Sequence, residues 1–167
     1  MFLIKILLAT KNFLCKMHQR SKNEIIFAIL DRVFDYEIGT ILKRLDQTMP
    51  AIEQLKIMTD LLVDEFNKMM PLMPLLFDFF ALGLRNRKVR NLMGSYLQKF
   101  IKLILPILEK GVKDGEFRAV NPMEATITIG AIIEGTILLW TYDPDGVELG
   151  AQIRAGMELL LQGLLVN

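Results

Sequence analysis

Apolar residues recur along the chain at the spacing of amphipathic helices, and capping and proline residues divide them into six predicted helices. The capping box Ser21-Lys22-Asn23-Glu24 opens the first, which is predicted to run to about residue 45. Pro50 suits the first turn of the second helix. The apolar stripe of this second helix is Leu55, Met58, Leu62 and Phe66.

The other four helices are marked by the same signals. Pro71 and Pro74 end the second helix and open a short third one through residue 84, and the polar residues 85–88 form a turn. A long fourth helix is predicted from about residue 88 to 113, with a kink at Pro106. Asn121-Pro122 opens the fifth helix, to about residue 142, and the turn Asp143-Pro144-Asp145-Gly146 leads into a sixth over about 147–165.

Composition favours an all-α fold with no catalytic or metal centre. Leu and Ile number 28 and 18 among the 167 residues, against 7 Val and 8 Thr, and β-branched Val and Thr would favour strands. The nucleotide-binding, nucleophile-elbow and zinc patterns are missing from the sequence, and Cys15 and His18 are too few for a metal or catalytic pair. We therefore expect a protein that is not an enzyme and holds no cofactor or metal. One cysteine also fits a reducing cytoplasm.

Neither apolar segment that resembles a membrane signal is long enough for one. The apolar run in the N-terminal 15 residues is interrupted by Lys11, and Thr126–Tyr142 carries Glu134 near its middle. We expect a cytoplasmic protein without a membrane span. The net charge of +1 is too small to attract nucleic acid to the protein as a whole, although residues 1–24 alone carry a net charge of +4.

Methionine and aromatic residues concentrate between residues 49 and 104, where they indicate either a hydrophobic core or an adaptable cavity for a lipophilic ligand. Three charged residues could bind a polar group of the ligand, although each suits a solvated position at least as well: Asp60, Asp78 and Arg85. The candidate ligand-binding residues are Met58, Leu62, Phe66, Met73, Phe77, Phe80, Met93, Tyr96, Phe100 and Glu134.

The last two helices lack a wide polar face, so we expect them to form a symmetric four-helix interface between two chains. Packing within one chain is the alternative. Glu134 could orient a ligand, pair with Arg154 across a helix interface or remain partly exposed. The predicted interface residues are Ile129, Ile133, Ile137, Trp140, Leu149, Ile153, Gly156, Leu160 and Leu164.

The ordered set of signals resembles the TetR/AcrR family of bacterial transcriptional regulators over about residues 15–165. The resemblance rests on the capping box, a Phe-rich helix ending in Leu84-Arg85, Gly115-Glu116-Phe117 before Asn121-Pro122, and the final pair with Ile133-Glu134-Gly135. It implies a helical effector-binding and dimerisation domain over residues 21–167. A regulator of this family releases its DNA site when a small molecule binds to that domain, and the implied molecule here is apolar. Members of the family usually repress a nearby gene, so the resemblance implies a repressor.

The same resemblance implies an N-terminal helix-turn-helix that this sequence does not contain in recognisable form. Residues 1–20 match the family poorly, and the string from Lys16 to Lys22 keeps only part of the pattern of a recognition helix. His18 and Lys22 match family positions that contact DNA phosphates, so we expect at most weak, salt-sensitive DNA binding. Two alternatives remain: a dimerisation module that modulates full-length relatives, and a membrane-associated helical protein.

Overall fold

The computed structural model describes residues 32, 38, 39, 41, 43–46 and 48–166. The chain divides into two units, Met1–Tyr36 and Glu37–Asn167, and the features below belong to the second. The predicted capping box and the predicted boundary between residues 20 and 21 lie outside the described residues. Of the first predicted helix, the described residues 32, 38, 39, 41, 43 and 44 are helical, and residue 45 is not.

The all-α prediction is confirmed, since no strand occurs between residues 48 and 166 and five α-helices fill most of that span. A 3₁₀ turn, Met70–Leu72, joins the helix that ends at Met69 to the helix that begins at Met73. The helices are α1 (Ala51–Met69), α2 (Met73–Gly83), α3 (Arg87–Lys113), α4 (Pro122–Tyr142) and α5 (Leu149–Leu164).

Side-chain caps explain where three of the helices begin. The amide oxygens of Asn86 and Asn121 accept hydrogen bonds from the first free N–H groups of α3 and α4. The last helix begins at Leu149 instead of the predicted 147, because the Glu148 carboxylate accepts from the Gly150 and Ala151 N–H groups and so acts as the cap. Helix α3 continues through Pro106 without interruption.

Four of the helices form a ring in which each packs against two others. Helix α1 packs on α3 and α5, and α4 packs on the same two helices, so α1 and α4 lie on opposite sides. Val63 of α1 lies against Gly150 at the start of α5, while Ala51 lies against Gly111 near the end of α3, so α1 runs antiparallel to both neighbours. Helix α2 packs on α3 outside the ring.

The start of α1 is capped by a residue far away in the sequence. Pro50 offers no capping side chain, and the Ala51 and Ile52 N–H groups donate instead to the two carboxylate oxygens of Glu116, at 2.9 and 3.2 Å. Lys110 Nζ lies 2.8 Å from Asp114 Oδ2 and 3.6 Å from Glu116 Oε1. The loop between α3 and α4 is thereby fastened to the first turn of α1.

The same loop also holds the end of α5. Gly115 has a φ of 76°, which turns the chain back and brings the buried Phe117 onto Gly111. A Cβ atom at Gly111 would overlap the Phe117 ring. Phe117 forms an antiparallel bridge with Leu165, and the Arg118 N–H donates to the Leu164 carbonyl at 2.8 Å. Three helix ends therefore meet at this loop.

Candidate effector site and association surface

The predicted ligand-binding residues lie at three different depths. Met58, Met73 and Tyr96 are buried in the core, and Glu134 is exposed on α4. Between these extremes is a half-buried group on the second half of α1, on α2 and on the first half of α3. The half-buried residues are Leu62, Phe66, Phe77, Phe80, Met93 and Phe100.

Two of these half-buried contacts join neighbouring helices. The Met93 sulfur lies over Gly83, where a Cβ atom would come within 2.6 Å of it, and this contact joins α3 to α2. The Phe100 ring lies against Gly130 of α4, 3.2 Å from an ideal Cβ position. On α2 itself, the rings of Phe77 and Phe80 form an edge-to-face pair with centroids 6.1 Å apart. These soft and aromatic side chains border α2, α3 and α4.

Sequence reasoning missed Glu65, the acidic residue buried on α1. Its side chain is 9% exposed, and Oε1 lies 2.6 Å from the Lys68 ammonium. The other oxygen, Oε2, is buried and accepts no hydrogen bond within the described part of the chain. The available signal was its position seven residues after Met58 and three after Leu62, which places an acid on the apolar face of the helix.

The three charged residues that the sequence suggested for a polar group of the ligand are at the surface. Asp60, Asp78 and Arg85 are all exposed. Asp60 accepts a hydrogen bond from Arg154 Nε at 2.8 Å, and this pair joins α1 to α5. That contact, with Asp64 and Glu148 nearby, raises the pKa of Arg154 further above its ordinary value. Arg154 therefore pairs with Asp60 and not with Glu134 within the chain, and Glu134 is exposed.

The predicted interface residues are mostly covered within one chain. Trp140, Gly156 and Leu160 are half-buried, and the other six are buried in the ring of helices. Gly156 lies against Ile132, where a Cβ atom would be 2.7 Å from Cγ2, so the close approach that small residues permit is used between α4 and α5 of the same chain. The six buried residues are Ile129, Ile133, Ile137, Leu149, Ile153 and Leu164.

The opposite faces of these two helices carry exposed apolar side chains. Leu159 of α5 is 72% exposed and Tyr142 of α4 is 73% exposed. Helix α4 begins before the apolar segment judged too short from the sequence, and by length and composition alone the whole helix could cross a membrane; a third of its apolar window is buried. We call the exposed apolar residues on the two helices the outer face. The outer face consists of Met123, Ile127, Leu138, Leu139, Tyr142 and Leu159.

Four basic residues follow α2 closely, namely Arg85, Arg87, Lys88 and Arg90, and the last of them has a local structural role. Arg90 donates from Nε to the Gly83 carbonyl and from Nη2 to the Leu84 carbonyl, at 3.2 and 2.8 Å. It thereby satisfies carbonyl groups at the end of α2. The candidate DNA-contacting residues His18 and Lys22 lie outside the described residues. No group of three potential metal ligands is found in the described portion.

The described part of the chain combines a ring of four helices, a half-buried group of Leu, Met and Phe residues and an apolar outer face. The sequence model of the BetI-type transcriptional repressor C-terminal domain matches residues 51–165, and the chain therefore belongs to this family of TetR regulators. Comparison with curated proteins and with solved structures gives no match. TetR regulators are transcription factors, and they generally dimerise, bind DNA and respond to small effectors.

Proposed function

We propose that this chain is the effector-sensing and dimerisation domain of a cytoplasmic TetR-type repressor, and that its effector is a small lipophilic molecule. The observation that carries the proposal is the half-buried group of Met and Phe side chains on α1, α2 and α3. These residues are neither sealed in the core nor solvated. The flexible thioether of Met93 and the aromatic rings at that depth can repack around an apolar guest.

The route of the response runs through the start of α1. An effector held between α1, α2 and α3 shifts these helices relative to one another, and the Glu116 cap transmits the shift to Ala51 and Ile52. The helical residues 43 and 44 lie a few positions upstream, in the segment that leads to the DNA-binding head in complete family members. Such coupling requires two arrangements that bind the effector with different affinity.

The effector proposal is tested by titrating the protein with pyrene, an uncharged fluorescent hydrocarbon. We expect saturable binding, which Phe80→Gln weakens about tenfold because it removes an aromatic contact worth roughly 1.5 kcal/mol. Ile127→Gln, on the outer face, is the matched control and leaves the binding unchanged. Absence of saturable binding, or equal weakening by both substitutions, would contradict the proposal.

For dimerisation we propose that the outer face of α4 and α5 packs against the same face of a second chain. Large exposed apolar side chains on adjacent helices mark an association surface, and a two-fold axis lets one such surface cover its own copy. Sedimentation in detergent-free buffer is expected to show a dimer. Leu159→Glu should give monomers, whereas Leu84→Glu, at a residue 78% exposed outside the outer face, should not. A monomeric parent chain would refute the interface.

The outer face also supports a second role, as a partner for full-length relatives. A chain that pairs with a full-length TetR regulator would give a heterodimer. Mixing the protein with such a regulator and measuring sedimentation tests this, and the Leu159→Glu variant is the control. A requirement for detergent to keep the protein soluble would instead favour membrane association through α4.

A further inference from the structure

The buried carboxylate of Glu65 differs from the other buried polar side chains of α1. Gln54 Nε2 donates to the Met49 carbonyl at 2.9 Å, and Thr59 Oγ1 donates to the Leu55 carbonyl at 2.8 Å. Each therefore satisfies its polar group locally. Glu65 is 7% exposed, yet its Oε2 atom is buried and accepts no hydrogen bond within the described residues. A buried acceptor without a donor costs free energy that a donor would recover.

Glu65 lies on the inner face of α1, among the predicted effector-binding residues. Leu62 precedes it by three positions and Met69 follows by four, so the three side chains share one helix face. Helix α1 runs antiparallel to α3, and Ala51 lies against Gly111. Moving about 21 Å along α1 from that contact reaches Glu65, and moving about 22 Å back along α3 reaches Tyr96. Glu65 therefore lies at about the height of the buried Tyr96 on the neighbouring helix.

The charge of this carboxylate is already balanced. The Lys68 ammonium lies 2.6 Å from Oε1, which is the distance of a charge-assisted hydrogen bond. A second cation at Oε2 would be repelled by the Lys68 ammonium. The lone pairs of Oε2, which accept no hydrogen bond within the described residues, therefore suit a neutral O–H or N–H donor.

We propose that Glu65 is the polar anchor of the effector site, and that the effector is a lipophilic molecule with a neutral hydroxyl or N–H donor. Its apolar body contacts the half-buried Met and Phe residues, and its donor binds Glu65 Oε2. This inference rests on the proposed function, because it names the chemical class of the effector at the same site. It adds a specific requirement that a purely apolar cavity would not have.

Three probes with the same chain length test the requirement on the unmodified protein. The probes are 1-octanol, which has a donor, 1-methoxyoctane, which has only an acceptor, and octylammonium, which is a cation. Displacement of pyrene should rank 1-octanol first, with Kd about tenfold lower than that of 1-methoxyoctane, as expected for a hydrogen bond to a charged group. Equal binding of the alcohol and the ether, or tightest binding of octylammonium, would overturn the inference.

Variants locate the effect at this residue. Glu65→Met should abolish the preference for 1-octanol over 1-methoxyoctane, measured as the ratio of the two Kd values on the same variant. The matched control is Glu53→Met, because Glu53 forms the same type of pair with Lys56, at 3.7 Å, on the exposed side of α1. Lys68→Met should shift the preference towards octylammonium, since the carboxylate then lacks its cation. A preference that survives Glu65→Met would also overturn the inference.

These outcomes separate the inference from the proposed function. If pyrene fails to bind saturably, the effector site itself is refuted and Glu65 has no ligand to anchor. If pyrene binds and the three octyl probes show no dependence on a donor, the effector site stands and the anchoring role of Glu65 is refuted. The probe series on the parent chain gives this answer even where a Glu65 variant fails to fold.

Discussion

Removing the Glu116 carboxylate tests how strongly the loop between α3 and α4 stabilises the start of α1. Glu116→Ala leaves two N–H groups, those of Ala51 and Ile52, without their acceptor at a helix end whose own cap position is Pro50. Loss of a side-chain cap costs about 0.5–2 kcal/mol. Because both carboxylate oxygens accept a bond while the side chain is 22% exposed, we expect about 1–2 kcal/mol.

Urea unfolding followed by circular dichroism measures this cost at a fixed protein concentration. With a urea slope of about 2 kcal/mol per molar, the midpoint should fall by roughly 0.5–1 M. Glu109→Ala is the control, because Glu109 is exposed on α3. Asn121→Ala provides a comparison with a cap that is local in sequence. A midpoint for Glu116→Ala that matches that of the Glu109→Ala control would refute the role of this carboxylate.

Three further substitutions report on the core and on the surface pair beside it. Gly111→Ala would force a Cβ atom into the Phe117 ring, and thermal unfolding should show a loss of about 1–3 kcal/mol or more; an unchanged midpoint would contradict this packing. Met58→Ala, at a fully buried position, should lower the free energy of unfolding in urea by about 2–5 kcal/mol, and a much smaller loss would show that the site collapses. The hydrogen bond from Lys110 holds the pKa of Asp114 below its ordinary value of 3.8, so the stability that Asp114 contributes is present above that pH and is lost as the pH falls below it. Asp114→Asn should therefore lose less stability than the parent chain on acidification below pH 3.8, and parallel acid titrations would contradict the assignment.

The helix boundaries could be predicted because the residues that set them act locally. The Asn121 side chain reaches N–H groups two and three residues ahead, and Pro122 fits the first helical position without losing a bond. At the start of α5, the prediction was two residues early because it treated Glu148 as a helical residue. Its carboxylate caps the helix instead, a role for which Asp, Asn, Ser and Thr are the usual signal.

The direction of each apolar face was harder to predict. Helix α4 is apolar nearly all round, so periodicity does not show which side faces the core. Ile133 lies inside the chain, whereas Leu138 and Leu139 of the same helix are exposed. Contacts between residues far apart in the sequence could not be predicted either. The contact of Glu116 with Ala51 spans 65 residues. The burial of Glu65 depends on how α1 packs against its neighbours.

The bridge between Phe117 and Leu165 has a consequence for how the C-terminus can be altered. Leu164 is buried and its carbonyl accepts the Arg118 N–H, whereas Val166 is exposed. A fusion tag added after the last residue should therefore be tolerated. A stop codon a few residues before Leu165 would uncover Phe117 and loosen the loop that carries Glu116. Because Glu116 caps α1, such a truncation should also destabilise the start of that helix.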